Sequence, residues 1–242
     1  MDQKPNEEMK NLLTAEKREF LAVMSHELRT PMTEVKGYLS LILDGDSGEV
    51  SPEVKKSVVD AYIANDHLIK LVDNILKVAA AQENVVSLNI QKVNLIETLA
   101  VITNSFQVAA NDKKLTLVYE RPRNDIWVLA DPDRLGEIFQ NIISNAIKFT
   151  EKGAVTIKNR GAGELVVTDV IDTGLGIKPE DQGKIFDLFS KTNLELSDQQ
   201  KGTGVGLYLS KKLAEAQNGK IWLESSEVGR GSTFSVGFPG VK

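Results

Sequence analysis

Among its 242 residues the chain has no cysteine and only two histidines. The first absence excludes disulfides, thiolate nucleophiles and cysteine metal sites, and leaves the redox compartment open. Long apolar runs are also missing. Even the short stretch Leu39-Ser40-Leu41-Ile42-Leu43 contains a serine, whereas a membrane-spanning helix needs about 20 mostly apolar residues. The polar first ten residues hold no apolar core of the kind a secretory signal requires. Basic residues are outnumbered, 29 Lys and Arg against 34 Asp and Glu, for a formal net charge of -5. A generic nucleic-acid binder, which carries excess positive charge, is therefore not expected. Neither an internal repeat nor a low-complexity segment is visible. What remains is an ordinary globular composition, 41% hydrophobic, long enough for one large domain or two modest ones. The expected location is cytoplasmic, either for the chain as it stands or as the cytosolic part of a membrane-bound protein.

Residues 8–83 read as a helical hairpin. Leu21, Met24, Leu28, Val35, Leu39 and Ile42, with Met32 near the missing position, alternate by three and four as a heptad seam. A second seam runs through Val54, Val58, Ala61, Leu68, Val72, Ile75 and Ala79. The turn formers of residues 44–52 separate them, and Ser51-Pro52 suits a helix start. Two helices with one narrow stripe each make a thin core, so dimerisation into a four-helix bundle is the economical solution. His26 lies two residues from both Met24 and Leu28, which places it about 160–200° from the seam, facing solvent. It belongs to the cluster Ser25-His26-Glu27-Leu28-Arg29-Thr30-Pro31: an imidazole beside a carboxylate, a hydroxyl one turn on, and a proline that removes a backbone donor. His67, next to the Leu68 seam position, reads as a residue on the flank of the bundle.

From about residue 88 the period changes. Strands are predicted over 87–93, 114–120, 126–130, 154–159, 164–171, 220–225 and 232–238. Helices are predicted over 94–111, from Asp131-Pro132 to 149, over 179–186 and over 206–217. This mixture gives an α+β chain with its domain boundary near residue 86: a hairpin at 1–86 and a two-layer α/β sandwich at 87–242. On the third long helix Asn141, Asn145 and Lys148 fall within about 60° of arc, beside a buried stripe, where amide oxygens are suitable ligands for Mg²⁺ or neighbours for phosphates. Asp172-Thr173-Gly174-Leu175-Gly176-Ile177 follows an apolar strand, so that Asp172 can accept from an exocyclic amine and Gly174 and Gly176 permit close backbone approach. Gly202-Thr203-Gly204-Val205-Gly206-Leu207 runs into a helix start, where backbone N–H groups can cradle phosphates. It lacks the Lys-Ser/Thr ending of a P-loop and the preceding strand of a dinucleotide fingerprint.

Taken in order, these motifs resemble the cytoplasmic transmitter core of bacterial sensor histidine kinases. Residues 25–31 resemble the H box, 141–148 the N box, 172–177 the first glycine box and 202–207 the second. Ile185-Phe186-Asp187-Leu188-Phe189 resembles the F box. The resemblance implies a homodimeric hairpin presenting His26 and a Bergerat-type ATP-binding domain. It implies that Asn145 coordinates Mg²⁺, that Asn141 and Lys148 contact the phosphates of ATP, and that Asp172 reads adenine. Residues 190–204 would form an ATP lid anchored by Phe186 and Phe189, with Gly202, Thr203, Gly204, Gly206 and Leu207 at its far end. Lys191 stands where relatives often carry Arg and can neutralise phosphate without forming a bidentate fork. Neutral His26 would take the γ-phosphoryl group with Glu27 as base or orienter, then donate it to an aspartate on a response-regulator receiver domain. Thr30 would position water for the reverse, phosphatase activity. Asn141 stands where related ATPases carry a water-activating Glu, which disfavours a hydrolytic motor; a silent nucleotide-binding scaffold is the other alternative. Lys36, Ser40, Lys55 and Lys56 are candidates for regulator docking. Leu12, Leu13 and Phe20 are compatible with a coiled coil continuing toward an upstream sensor module.

Overall fold

A computed structural model describes residues 4–82, 88–190 and 204–241, with residues 4–22, 25, 67 and 75–82 described by their backbone alone. It divides into two compact units, Met1–Val85 and Val86–Lys242.

The first unit is two long helices, α1 (Lys4–Asp44) and α2 (Pro52–Gln82). Pro31 lies inside α1, and helical backbone continues through it. Ser51 opens α2 as expected, its Oγ accepting from Val54 N at 3.3 Å. Across the hairpin Asn65, the one fully buried side chain among the described residues of this unit, donates Nδ2 to the Met32 carbonyl at 2.7 Å. Arg29 pairs with Asp73, with Nε 3.1 Å from Oδ1. Lys36 pairs with Asp66 at 2.6 Å and lies over the Tyr62 ring. Asp66 also meets Lys70, and these two ammonium groups hold its carboxyl below the usual range. The seam positions Met24, Leu28, Val35, Val54 and Leu68 stay exposed, as do Val23, Tyr38 and Leu41.

The second unit contains β1 (Gln91–Asn94), α3 (Leu95–Ser105), α4 (Gln107–Asp112), β2 (Thr116–Glu120), β3 (Trp127–Ala130) and α5 (Pro132–Phe149). These are followed by β4 (Ala154–Ala162), β5 (Leu165–Asp172), α6 (Pro179–Gln182), α7 (Gly206–Glu215), β6 (Lys220–Glu227) and β7 (Gly231–Val241). The strands form one sheet ordered β1-β3-β7-β5-β4-β2, with β6 also paired to β7; only β2 and β4 run parallel. Helices and sheet enclose a core dominated by Leu95, Ile96, Leu99, Leu135, Ile138, Phe139, Ile142, Ile143, Val155, Ile157 and Phe238. The α+β reading of hairpin followed by sandwich is the observed architecture. Two expected helices differ in extent. The one over 94–111 breaks at Phe106, whose N–H bonds to Thr103 O while Ser105 Oγ takes Ile102 O. Side-chain competition of this kind weakens helix propagation in the run Thr103-Asn104-Ser105. The helix over 179–186 shrinks to Pro179–Gln182, because the chain turns at Gly183 to bury Ile185 and set Phe186 edge-on to Phe234.

Candidate active site

On α1, the His26 side chain is 77% exposed and Glu27 73%, as the heptad phase requires. Nδ1 of His26 lies 3.8 Å from Glu27 Oε1, within ion-pair range and beyond hydrogen-bond length. Thr30 donates Oγ1–H to the His26 carbonyl at 3.1 Å. That bond occupies the hydroxyl proton and leaves its lone pairs free to accept. Lys36 is not a free docking cation, because Asp66 and the Tyr62 ring engage it. The hydrogen bond to Asp66 raises its pKa, and burial opposes this. The His67 side chain lies outside the described residues.

In the second unit, α5 carries three of the candidate residues, and its ends are held by different chemistry. At the N-terminus Asp131 Oδ1 accepts from Asp133 N and Arg134 N at 3.0 and 3.1 Å, while Oδ2 accepts from Asn89 N at 2.8 Å. Burial pushes the Asp131 carboxyl up, but the three backbone donors outweigh it and leave the group below the usual range. At the C-terminus the last four carbonyls all find donors beyond the helix ladder. Ala146 O accepts from Thr150 Oγ1 at 2.6 Å, Ile147 O and Lys148 O each from Lys113 Nζ at 2.8 Å, and Phe149 O from Leu175 N at 3.1 Å.

The last of these bonds ties α5 to the turn that follows β5. Gly174 is required there: a Cβ would sit 2.4 Å from Phe149 O. Gly176, at φ +67°, would place a Cβ 2.0 Å from the Glu227 carbonyl. Both glycines thus admit the protein's own backbone and set where the turn lies. Within it the buried Asp172 turns Oδ1 to Gly174 N at 2.9 Å and Ser232 N at 3.2 Å. Its Oδ2 takes no hydrogen bond among the described residues. Burial raises the Asp172 pKa, and the two backbone donors offset this in part. Thr173 accepts from Ala154 N at 3.0 Å.

Half-buried Asn141 donates Nδ2 to Ser210 Oγ of α7 at 2.9 Å, and Gly206 packs directly against its amide, where a Cβ would lie 2.4 Å from Oδ1. The amide of half-buried Asn145 has no hydrogen-bond partner among the described residues. Lys148 reaches over the Phe149 ring. Phe186 meets Phe234 and the Lys211 ammonium; Phe189, at φ +62°, is exposed. Gly204 lies against Phe189 and Ser190. Leu207 lies in the first turn of α7. Lys191, Gly202 and Thr203 lie outside the described residues. Sequence reasoning did not single out Lys113 or Ser210. Ser210 had a faint signal, four residues after Gly206 on the same helix face.

The His Kinase A (phospho-acceptor) domain family matches residues 16–84, and the Histidine kinase-, DNA gyrase B-, and HSP90-like ATPase family matches residues 130–242. The chain belongs to the sensor histidine kinases, as a transmitter core. It is 35% identical to the circadian input-output histidine kinase CikA of Synechococcus elongatus, over 93% of this chain and 30% of that protein. Against the sensor histidine kinase WalK of Bacillus subtilis the identity is 29%, over 93% and 37%. Among solved structures, full-length ShkA in complex with AMPPNP is similar with a TM-score of 0.73 and 28% identity, over 93% of this chain and 46% of that one. The chain spans roughly a third of the length of these curated relatives. No helix among the described residues is long and apolar enough to cross a membrane.

Proposed function

We propose that this chain autophosphorylates His26 from ATP and passes the phosphoryl group to an aspartate of a response-regulator receiver domain, as a homodimer. The observation that carries the reading is a solvent-facing histidine beside a carboxylate, in the same chain as an α5 amide and a buried Asp172 oxygen that have no hydrogen-bond partner among the described residues. AMPPNP in the similar ShkA structure supports ATP as the nucleotide. Asp172 Oδ2 would accept from the exocyclic amine of adenine, while Lys148 and Asn141 line the phosphate side.

Among the described residues no cluster of three carboxylates or histidines could cage a metal ion. The Asn145 oxygen, without a hydrogen-bond partner among the described residues, suits Mg²⁺, which keeps several waters and shares phosphate oxygens. When bound, that ion supplies charge neutralisation at the phosphates. In the transfer, a His26 ring nitrogen attacks the γ-phosphorus as the bond to the β,γ-bridging oxygen breaks and ADP leaves. Shortening the separation between Nδ1 and Glu27 to hydrogen-bond length would keep the ring proton on Nδ1 and leave the Nε2 lone pair as nucleophile. Glu27 or solvent then takes that proton. Thr30, whose lone pairs remain free, would accept from the water that hydrolyses the regulator's phospho-aspartate.

The test is incubation with Mg²⁺ and γ-labelled ATP. Acid-labile, base-stable label that disappears in His26→Gln supports the kinase. Nucleotide binding with no label on the wild type favours a scaffold, and phosphate release that survives His26→Gln favours a hydrolase.

A further inference from the structure

We infer that Lys113 is a positioning residue for nucleotide binding. It rests on the reading of Asn145, Lys148 and Asp172 given above and adds to it what holds them in place. Lys113 follows α4, where the chain is closed by Lys114 N bonding to Asn111 O at 2.8 Å and Leu115 N to Ala110 O at 2.9 Å. Lys114 adopts φ +57°, and Leu115 is buried. This closure aims the Lys113 side chain across the unit at the far end of α5. There Nζ donates to Ile147 O, Lys148 O and, at 3.3 Å, Thr150 O. An ammonium group has three protons, and here each has a carbonyl.

The placement matters because of what those carbonyls belong to. Lys148, whose ammonium lies over the Phe149 ring, is the residue assigned above to the phosphate side, and its backbone oxygen is one of the three. Phe149, between two of them in sequence, receives Leu175 N and packs against Gly174, so it fixes the turn that presents Asp172. One cation thus sets the last turn of the helix carrying Asn145 and Lys148, and through Phe149 the Asp172 loop. Its charge sits at the negative end of the α5 dipole. Lys113 touches neither nucleotide nor reacting atoms in this assignment. It acts through backbone.

The experiment is titration of the full chain with a fluorescent ATP analogue, paired with the dependence of autophosphorylation rate on ATP. Lys113→Met keeps length and removes charge and donors. The expected result is affinity weaker by about tenfold, the cost of losing a charge-assisted contact, with KM raised and the saturating rate within about twofold. Lys113→Arg, which still offers charged donors, should recover most of the loss. In a Lys148→Ala background the same change should weaken binding by less than tenfold, because part of the effect runs through Lys148. Val128→Ala, in the core at β3, is the control for general loosening and should leave affinity unchanged. Equal affinity in folded Lys113→Met overturns the assignment, as does an equal loss in Val128→Ala. Should Lys113→Met not fold, Lys113→Gln, uncharged with an amide donor, carries the same comparison. Failure of the wild type itself to bind the analogue would instead overturn the site reading on which this rests.

Discussion

At the side chain of Asp172 two demands oppose each other. Burial raises its pKa, so the ionised form costs the folded state free energy. A group raised in the fold contributes its stability below the unfolded value of 3.8 and loses it as pH rises through the folded pKa. At neutral pH the carboxylate is therefore a burden on the fold, and in the proposed reading it is kept for what Oδ2 can accept. Asp172→Asn retains an oxygen for Gly174 and Ser232 and replaces the other by a donor. We expect its Tm at pH 7 to match or exceed that of the wild type, while nucleotide affinity falls by about a hundredfold, the scale of a mispaired buried site. Calorimetry and nucleotide titration on one preparation decide this; a lowered Tm with intact binding would reverse the argument. Asp172 was legible in the sequence because an acid closing an apolar strand before two glycines is locally incongruous. Lys113 was not: a lysine beside a lysine in a polar stretch has no periodic partner, and its three acceptors are backbone carbonyls about 35 residues away, which side-chain patterning never reports.

At the scale of elements, α5 is the best-read part of the chain, since acidic N-cap, proline and buried stripe agree with one another. Asp131→Ala is expected to lose about 1–2 kcal/mol of the second unit's stability at pH 7, because a cap and its tie to Asn89 go together. Asp131→Asn keeps the cap and isolates the charge. Asp131 is lowered in the fold, so its contribution is present above the unfolded value of 3.8 and disappears as pH falls through the folded pKa. Denaturant midpoints at pH 5 and pH 3 should therefore differ less in Asp131→Asn than in the wild type. The break at Phe106 and the short α6 were not legible, for a common reason. In each case the hydrophobic spacing continues while the hydrogen bonds go elsewhere, from Ser105 Oγ to Ile102 O and from Phe106 N to Thr103 O at the first site and around Gly183 at the second. The hairpin shows a further device at this scale. Asn65 pins α2 to the Met32 carbonyl just past Pro31, and Asn65→Leu should cost about 1–2 kcal/mol of hairpin stability by urea melt, leaving helix content nearly unchanged.

At the scale of the whole molecule the two units differ in how completely they are finished. Among the described residues of the hairpin no apolar side chain is fully buried, and seam positions such as Leu68 remain 52% exposed. An open groove between α1 and α2 is lined by Leu39, Val54, Val58 and Ala61. This is the expected state of half a bundle, and the proposed homodimer would close it. Leu68→Asp should shift sedimentation from dimer to monomer and abolish autophosphorylation, with nucleotide affinity kept within about twofold because binding belongs to the other unit. Loss of nucleotide binding in that monomer would place part of the pocket in the dimer.

The central position of β7 sets an order of events during synthesis. It lies between β5 on one side and β6 and β3 on the other, yet it comes last of the strands. Ser232, which bonds Asp172, lies on it. The hairpin is built from neighbours along the chain and can take shape while the ribosome is still translating. The sandwich must wait for its middle strand. In the proposed homodimer, the hairpins could therefore pair before the nucleotide site is complete. A chain cut short before Gly231 would keep the hairpin and lack the strand whose Ser232 N–H holds Asp172.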